Sequence, residues 1–274
     1  MFARRPDVLL TGRIGRALNV QRINRHKRYL RRRFDPASLF ANGEQGAFYA
    51  LSDLSTLFQD DAGTTPVTAP GQAVGRVLDL SGNGNHATQA TAEARPVYQT
   101  DGTLHWLEFD GVDDFLVTPF AGMALSTFAG AFALGYQDNS LHTGYILHSA
   151  GSEATASIIG FALLSRTDLT NSPQWILLGG VENKITGNPL DKRVASANWD
   201  RTVPEGEYAF NDDVQAASIG SASNSHTLKI GSRVDGVYYD GKIYGGIFAR
   251  QGKLTAPEWA RLRRWFARET GVAL

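Results

Sequence analysis

Three carboxylates lie close together in the stretch Glu108-Phe-Asp-Gly-Val-Asp113. Side chains two residues apart on a strand point to the same face, so Glu108 and Asp110 are expected to share one face of a sheet. Retaining glycoside hydrolysis requires two carboxyls about 5–5.5 Å apart, one as nucleophile and one as acid. However, Gly111 is expected to turn the chain before Asp113 is reached. We therefore predict no catalytic residue, and hydrolysis that depends on Glu108 is the weakest alternative.

The metal-binding residue types form no motif. The six histidines are scattered at positions 26, 86, 105, 142, 148 and 226, without the spacing of a zinc site. The pairs Asp113-Asp114 and Asp212-Asp213 offer oxygens that calcium prefers. Neither pair has the dense alternating Asp spacing of a calcium loop, and paired Asp is common in turns. We predict no metal and no cofactor; a structural calcium ion is an alternative that this spacing does not support.

Four aromatic residues are candidates for stacking on a sugar: Trp175, Trp199, which stands between Asn198 and Asp200, and the adjacent pair Tyr238 and Tyr239. Large aromatic side chains also dominate the interiors of β-sandwiches. The face on which each side chain lies depends on the strand register, which the sequence alone does not fix. Glycan contact and core packing therefore both remain open for these residues.

The elements that must position these residues are mainly strands. The chain has 274 residues, no Cys and 29 Gly, and from Phe34 onward it shows about a dozen short apolar runs separated by turn signals. This pattern predicts a two-sheet antiparallel sandwich. Phe128–Tyr136 is apolar nearly throughout and is predicted to be a central strand. Thr255-Ala-Pro-Glu258 is a capping box that predicts one C-terminal helix over residues 255–270.

A basic segment precedes this β domain. Residues 1–33 carry eleven Arg or Lys and one acid, so the segment has a net charge of +10 and the remainder −10. We predict an extended or short-helical anchoring arm over residues 1–34 and a β domain over 35–274. Protein is favoured over nucleic acid as its partner, because no nucleic-acid-binding pattern follows. The predicted contact residues are Arg13, Arg16, Arg22, Arg25, Lys27, Arg28, Arg31, Arg32 and Arg33.

Two parts of the chain resemble a known family. The stretches Leu78–Thr88 and Trp106–Leu116, and the ending Leu228–Gly231, Tyr239–Phe248 and Leu254–Gly271, resemble concanavalin A-like, laminin-G-type jelly-roll domains. The resemblance implies a jelly roll that spans roughly residues 45–271. Asp110-Gly111 and Asp240-Gly241 are interpreted as tight hairpin turns of this fold. Glycoside hydrolases share the fold, but its non-catalytic members also carry acidic residues at the first of these turns.

A narrower resemblance concerns residues 46–75 together with Ser81–Thr88. These blocks are similar to versions of the domain in tailed-phage and prophage virion proteins of the tail, baseplate, fibre or head decoration. The resemblance implies a non-enzymatic structural component of a virion, made in the host cytoplasm and present in symmetric copies. The basic arm would bind other virion proteins. The alternative is a receptor-binding module for a host-surface glycan. No run of apolar residues is long enough to span a membrane.

Overall fold

The computed structural model describes residues 34–120, 129–140, 143–150, 160–165, 174–178, 181–185, 188, 190–200, 202, 205–219, 227–233 and 236–274. The chain divides into two compact units, Met1–Asp35 and Pro36–Leu274, and the described elements belong to the second. In this part of the chain no helix is both long and apolar enough to cross a membrane. The predicted basic arm lies outside the described residues, and so do all nine of its predicted contact residues.

The described elements are mostly strands. In chain order they are β1 (Gly46–Ala50), β2 (Leu57–Phe58), β3 (Arg76–Val77), β4 (Ala87–Thr88), β5 (Val97–Thr100), β6 (His105–Asp110), β7 (Leu116–Val117), β8 (Ala129–Asp138), β9 (Gly144–Ala150), β10 (Gly160–Ser165), β11 (Gln174–Leu178), β12 (Val181–Ile185), β13 (Arg193–Asp200), β14 (Glu205–Phe210), β15 (Asp213–Ala216), β16 (Lys229–Ile230) and β17 (Asp240–Gln251). Helix α1 is Ala256–Thr270, and short 3₁₀ turns occupy Pro36–Phe40, Leu54–Thr56 and Ala92–Ala94.

These strands form two antiparallel sheets. Sheet A has the order β15-β14-β13-β8-β17-β6-β5, with β1 also paired to β17. Sheet B has the order β12-β11-β10-β9-β16-β7-β4-β3-β2. One cluster of buried side chains joins the sheets, with Leu107 and Phe132 from sheet A and Ile146 from sheet B among its members. The predicted antiparallel β-sandwich is therefore confirmed, and the central strand predicted at Phe128–Tyr136 appears as β8.

The C-terminal helix is also confirmed. Thr255 is the N-cap, and it forms a capping box with Glu258, whose carboxylate accepts the backbone N–H of Thr255 at 2.9 Å. Gly271 ends the helix at φ 74°, a left-handed conformation that glycine adopts without steric cost. The helix buries Trp265, whose ring lies 5.4 Å from that of Phe48, and contacts β8, β13 and β17. It therefore covers part of sheet A.

The loop Asp79–Asn85 braces strand β1. The buried carboxylate of Asp79 accepts the backbone N–H of Phe48, Ser81 and Asn85 at 2.8–2.9 Å, and the Ser81 hydroxyl at 2.7 Å. The carbonyl oxygen of Gly46 accepts from Ser81, Asn83 and Asn85 at 2.8–3.1 Å. Polar residues of this loop thus hold the edge of sheet A together, and we call the loop the Asp79 brace.

The two predicted Asp-Gly turns differ in the structure. Gly111 has φ +76° and follows the end of β6, so the chain turns there, but β6 belongs to sheet A and the next strand, β7, to sheet B, so this turn does not close a hairpin. Asp240-Gly241 instead begins the twelve-residue strand β17, and the prediction of a hairpin turn at this pair is wrong. The irregularity in β17 comes later, where the register shifts between Tyr244 and Ile247. A Cβ at Gly246 would overlap the carbonyl oxygen of Tyr49, so the close approach of β1 requires glycine there.

Candidate functional site

A group of aromatic, amide and charged side chains covers sheet A on the side away from the inter-sheet core. Along β6, Leu107 and Phe109 point into the core, so Trp106 and Glu108 point outward, as alternation predicts. The register places Trp106 opposite Tyr244, and Glu108 opposite Lys242, on β17. Lys242 in turn faces Gln137 on β8. We call this surface the Trp106 face; its members are Trp106, Glu108, Gln137, Lys192, Lys242 and Tyr244.

Two aromatic rings form the base of the Trp106 face. The ring centroids of Trp106 and Tyr244 lie 5.4 Å apart with the planes tilted by 41°. The ammonium of Lys192 stands 4.9 Å from the Tyr244 centroid, and that of Lys242 stands 5.9 Å from the Trp106 centroid. Both distances suit an attractive interaction between a cation and an aromatic face. Each ring therefore carries a positive charge above it.

Hydrogen bonds fix the base of the Trp106 face. The Tyr244 hydroxyl donates to Gln137 Oε1 at 3.0 Å, and Gln137 Nε2 donates to the carbonyl oxygen of Leu190 at 2.7 Å. Burial raises the pKa of Tyr244 to about 12, and the negative charges of Glu108 and Asp101 act in the same direction. Tyr244 is therefore a neutral donor at physiological pH, and Gln137 has both ends of its amide engaged.

A second group of functional side chains lies where β6 ends. Asp110, Asp113 and Asp114 each place one carboxylate oxygen within 4.8 Å of the others. Asp110 is exposed, while Asp114 is only 5% exposed and accepts the backbone N–H of Asp110 at 3.1 Å. We call these three residues the Asp turn. Three oxygen donors so arranged fit a calcium ion, and in the described part of the chain no other acidic or histidine group comes together in this way.

The Asp turn contains an acid that titrates near neutral pH. Burial and the negative charges of Asp110 and Asp113 together raise the pKa of Asp114 to about 7, although the hydrogen bond from the backbone N–H of Asp110 acts in the opposite direction. Asp114 thus holds a proton under conditions in which ordinary carboxyls are ionised. Asp212 and Asp213, the other pair considered for calcium, are both exposed.

The predicted glycan-stacking residues lie in different surroundings. Trp199 and Tyr239 are fully buried in the core between the sheets, so neither offers a face to a ligand, and core packing is the alternative that the structure shows for both. Tyr238 is partly exposed, and its ring lies 6.4 Å from that of Phe115. Trp175 belongs to β11, and its side chain lies outside the described residues.

Most of the Trp106 face was missed at the sequence level. Glu108 was considered as a carboxylate, but Trp106 was noted only within a family-like stretch, and Gln137, Lys192, Lys242 and Tyr244 were not singled out. They come from three separate segments that only the strand register brings together. The available signal was the alternation Lys242, Tyr244 with apolar Ile243 between them, which marks one outward face of β17.

Comparisons with known proteins relate the fold to carbohydrate-active proteins. No family model and no curated protein sequence matches the chain. Among solved structures, a GH54 α-L-arabinofuranosidase is similar with TM-score 0.60 and 13% identity, covering 86% of this chain and 66% of that chain. An arabinofuranosidase complexed with arabinofuranosyl-α-1,2-xylobiose gives TM-score 0.59 and 11% identity, covering 86% and 65%. The chain thus spans just under two thirds of these arabinofuranosidases.

A further neighbour is a ligand-binding domain. That of botulinum neurotoxin serotype D, solved in complex with N-acetylneuraminic acid, has TM-score 0.54 and 9% identity over 84% of this chain and 52% of that chain. The sialidase of Trypanosoma rangeli gives TM-score 0.52 and 11% identity, covering 84% and 34%. At these identities the likeness establishes the β-sandwich fold and not the activity.

These neighbours correct two predictions. These similar structures are arabinofuranosidases, a sialidase and a toxin domain in complex with a sugar, and none of them is a virion protein. The prediction of a structural virion component is overturned in favour of the glycan-binding alternative. The prediction that the chain is not an enzyme is also corrected, because glycosidases share this fold and the fold therefore gives no ground for excluding enzymatic activity. Binding of virion proteins by the basic arm finds no support, and the location in a virion stays a prediction.

Proposed function

We propose that this chain is a carbohydrate-recognising β-sandwich of the concanavalin A-like jelly-roll type, and that it binds sugar on the Trp106 face. The observation that carries the proposal is the combination there of a half-buried indole with a carboxylate and two ammoniums. Sugar rings present C–H faces that pack on aromatic rings, and their hydroxyls need charged or amide partners at the edge. The similar folds of sugar-binding and sugar-cleaving proteins support the same conclusion.

The position of the Trp106 face also supports this role. Helix α1 contacts β8, β13 and β17, whereas the contacts of β6 are mainly with β5 and β17. Trp106 and Glu108 therefore lie on the part of sheet A beside the helix rather than beneath it. The Trp106 indole N–H is buried without an acceptor among the described residues. An unsatisfied buried donor costs free energy, and a ligand oxygen is one group that can remove that cost.

The test is a glycan array probed with the full chain, followed by titration of the best saccharide. We expect Trp106→Ala to weaken binding about ten-fold or more, because it removes the aromatic surface. The matched control is Tyr238→Ala, which truncates another partly exposed aromatic, packed against Phe115. Thermal unfolding of both variants checks that the fold is kept. Loss of binding in Tyr238→Ala but not in Trp106→Ala would move the site away from the Trp106 face.

A second candidate function, glycoside hydrolysis, is favoured by the Asp turn. It places Asp114, with its pKa of about 7, beside the carboxylates of Asp110 and Asp113. Hydrolysis by two carboxyls needs one protonated acid and one ionised group. The test is release of arabinose or 4-nitrophenol from arabinofuranosides by the full chain. We expect Asp114→Asn to abolish any such activity, and release that is unchanged in this variant would rule out the Asp turn as its source.

A further inference from the structure

The Trp106 face has more uncommitted hydrogen-bond donors than acceptors. Gln137 uses both ends of its amide within the protein, and the Tyr244 hydroxyl donates to it. The donors left over are the ammoniums of Lys192 and Lys242 and the buried indole N–H of Trp106. The remaining anionic acceptor on the face is the carboxylate of Glu108. A ligand that fits this surface must therefore be rich in acceptors.

The two lysines are weakly neutralised. Lys242 Nζ lies 4.0 Å from Glu108 Oε1, at the outer limit of an ion pair, and both side chains are partly exposed, at 26% and 35%. Lys192 has no carboxylate within 4 Å among the described residues. The pKa of exposed Asp101 is lowered mainly by hydrogen bonds from the backbone N–H groups of Leu104 and Thr103, and the positive charge of Lys192 lowers it further. Neither ammonium is thus held in a close ion pair.

Position makes these charges effective. Both ammoniums stand over aromatic rings, and both residues are half-buried. Each charge therefore has water on one side and protein of low polarity on the other. A charge in such surroundings attracts an anion more strongly than it does in bulk water. A neutral saccharide that covered this face would remove water from both ammoniums without returning a negative charge. The face therefore favours an anionic ligand over a neutral one of the same shape.

We propose that the saccharide bound by the Trp106 face carries a carboxylate, and that Lys192 and Lys242 recognise it. This inference rests on the proposed function, because it specifies the chemical class of ligand for the same surface. The sugar ring packs on Trp106, and the carboxylate accepts hydrogen bonds from the ammoniums on either side of the Tyr244–Gln137 pair. Without ligand, the carboxylate of Glu108 is the nearest negative charge to Lys242, at 4.0 Å. The ligand carboxylate partly replaces it as the counter-ion of Lys242.

The experiment uses two probes with one backbone, trigalacturonate and its fully methyl-esterified form, titrated into the full chain by calorimetry. We expect the acid to bind at least ten-fold more tightly than the ester, and its affinity to fall as salt is added. Lys192→Met and Lys242→Met should each weaken binding of the acid about ten-fold and binding of the ester by a clearly smaller factor. The matched control is Lys229→Met, because Lys229 likewise stands over an aromatic ring, that of Phe115 at 5.2 Å, but belongs to sheet B.

The outcomes separate this inference from the proposed function. Equal binding of acid and ester, or an acid preference that survives both lysine variants, overturns the inference and leaves carbohydrate binding in place. The inference is also overturned, and carbohydrate binding kept, if the chain binds neutral saccharides of the array through Trp106 but does not bind the acid. Absence of binding to any saccharide overturns both. Reduced binding in Lys229→Met alone would place the recognition on sheet B and overturn the inference.

Discussion

The Asp79 brace and the Trp106 face are both rich in polar side chains, but they use them differently. In the Asp79 brace, Asp79, Ser81 and Asn85 make their hydrogen bonds to groups of the same loop and of strand β1. On the Trp106 face, the ammoniums and the indole N–H have no close hydrogen-bond partner within the described protein. Polar groups that are satisfied internally build the fold, whereas the partly exposed ammoniums of Lys192 and Lys242 remain accessible to a ligand.

The same difference applies to the most recognisable family-like stretch of the sequence. Ser81-Gly-Asn-Gly-Asn-His-Ala-Thr88 is one of the most recognisable stretches of the sequence, but its side chains bind the backbone of residues 44 and 46. Four members of the Trp106 face also lie in family-like stretches, Trp106–Leu116 and Tyr239–Phe248, but strand pairing rather than a local motif brings them together. The family-like stretches therefore supply both the Asp79 brace and part of the proposed binding surface.

The largest effect that we expect comes from breaking the Asp79 brace. Asp79→Ala removes a buried carboxylate that accepts four hydrogen bonds and leaves the donors of Phe48, Ser81 and Asn85 unpaired. We expect a loss of about 3–5 kcal/mol in the free energy of unfolding, measured by urea denaturation. Asp60→Ala is the control, because Asp60 also accepts three hydrogen bonds but in an exposed turn. An equal loss in both variants would show that burial is not the cause.

The next effect concerns the Asp turn, which lies between these two extremes. Asp114 has a pKa of about 7 in the folded chain against an ordinary value of 3.8. Between these values the folded chain keeps the proton and the unfolded chain releases it, so stability falls as the pH rises from about 4 to about 7. We expect a decrease of about 2–4 kcal/mol over this range, measured by urea denaturation in the presence of EDTA.

Asp114→Asn should remove most of this pH dependence, because the amide does not titrate. Asp60→Asn is again a suitable control, since backbone N–H groups and threonine hydroxyls hold the pKa of Asp60 well below its usual range. That carboxylate stays ionised across the whole interval. A pH dependence that persists in Asp114→Asn would assign it to another group.

The fold was largely predictable and the candidate site was not, for a physical reason. Alternation and capping are local properties, so β8, the shared face of Glu108 and Asp110, and helix α1 follow from short stretches. Side-chain burial depends on pairing: Trp199 lies opposite Gly130, where a Cβ would come within 2.7 Å of the indole. The missing side chain at Gly130 makes room for the ring between the sheets. The sequence shows both residues but not that they are paired.

The same limit applies to the Trp106 face. Glu108 lies opposite Lys242, and Trp106 opposite Tyr244, only because β6 pairs with the first half of β17. The sequence does not show that β17 begins at Asp240 and pairs with β6 from its first residue. A one-residue change of register would also turn each of these side chains toward the core. The Trp106 face could not be predicted from residue types, because it depends on pairing between strands that are far apart in the sequence.

The smallest effect on stability, and the sharpest test of the comparison, is expected for Glu108→Gln. The Glu108–Lys242 pair is long and partly exposed, so its loss should change the free energy of unfolding by less than about 1 kcal/mol.

If Glu108 competes with a ligand carboxylate for Lys242, its neutralisation should tighten binding of trigalacturonate about two- to five-fold and leave the methyl ester unchanged. If Glu108 instead accepts hydrogen bonds from sugar hydroxyls, both probes should bind more weakly. Calorimetric titration of the two probes distinguishes these roles: tighter binding of the acid alone shows that Glu108 is a counter-ion, and an equal loss for both shows that it is a ligand contact.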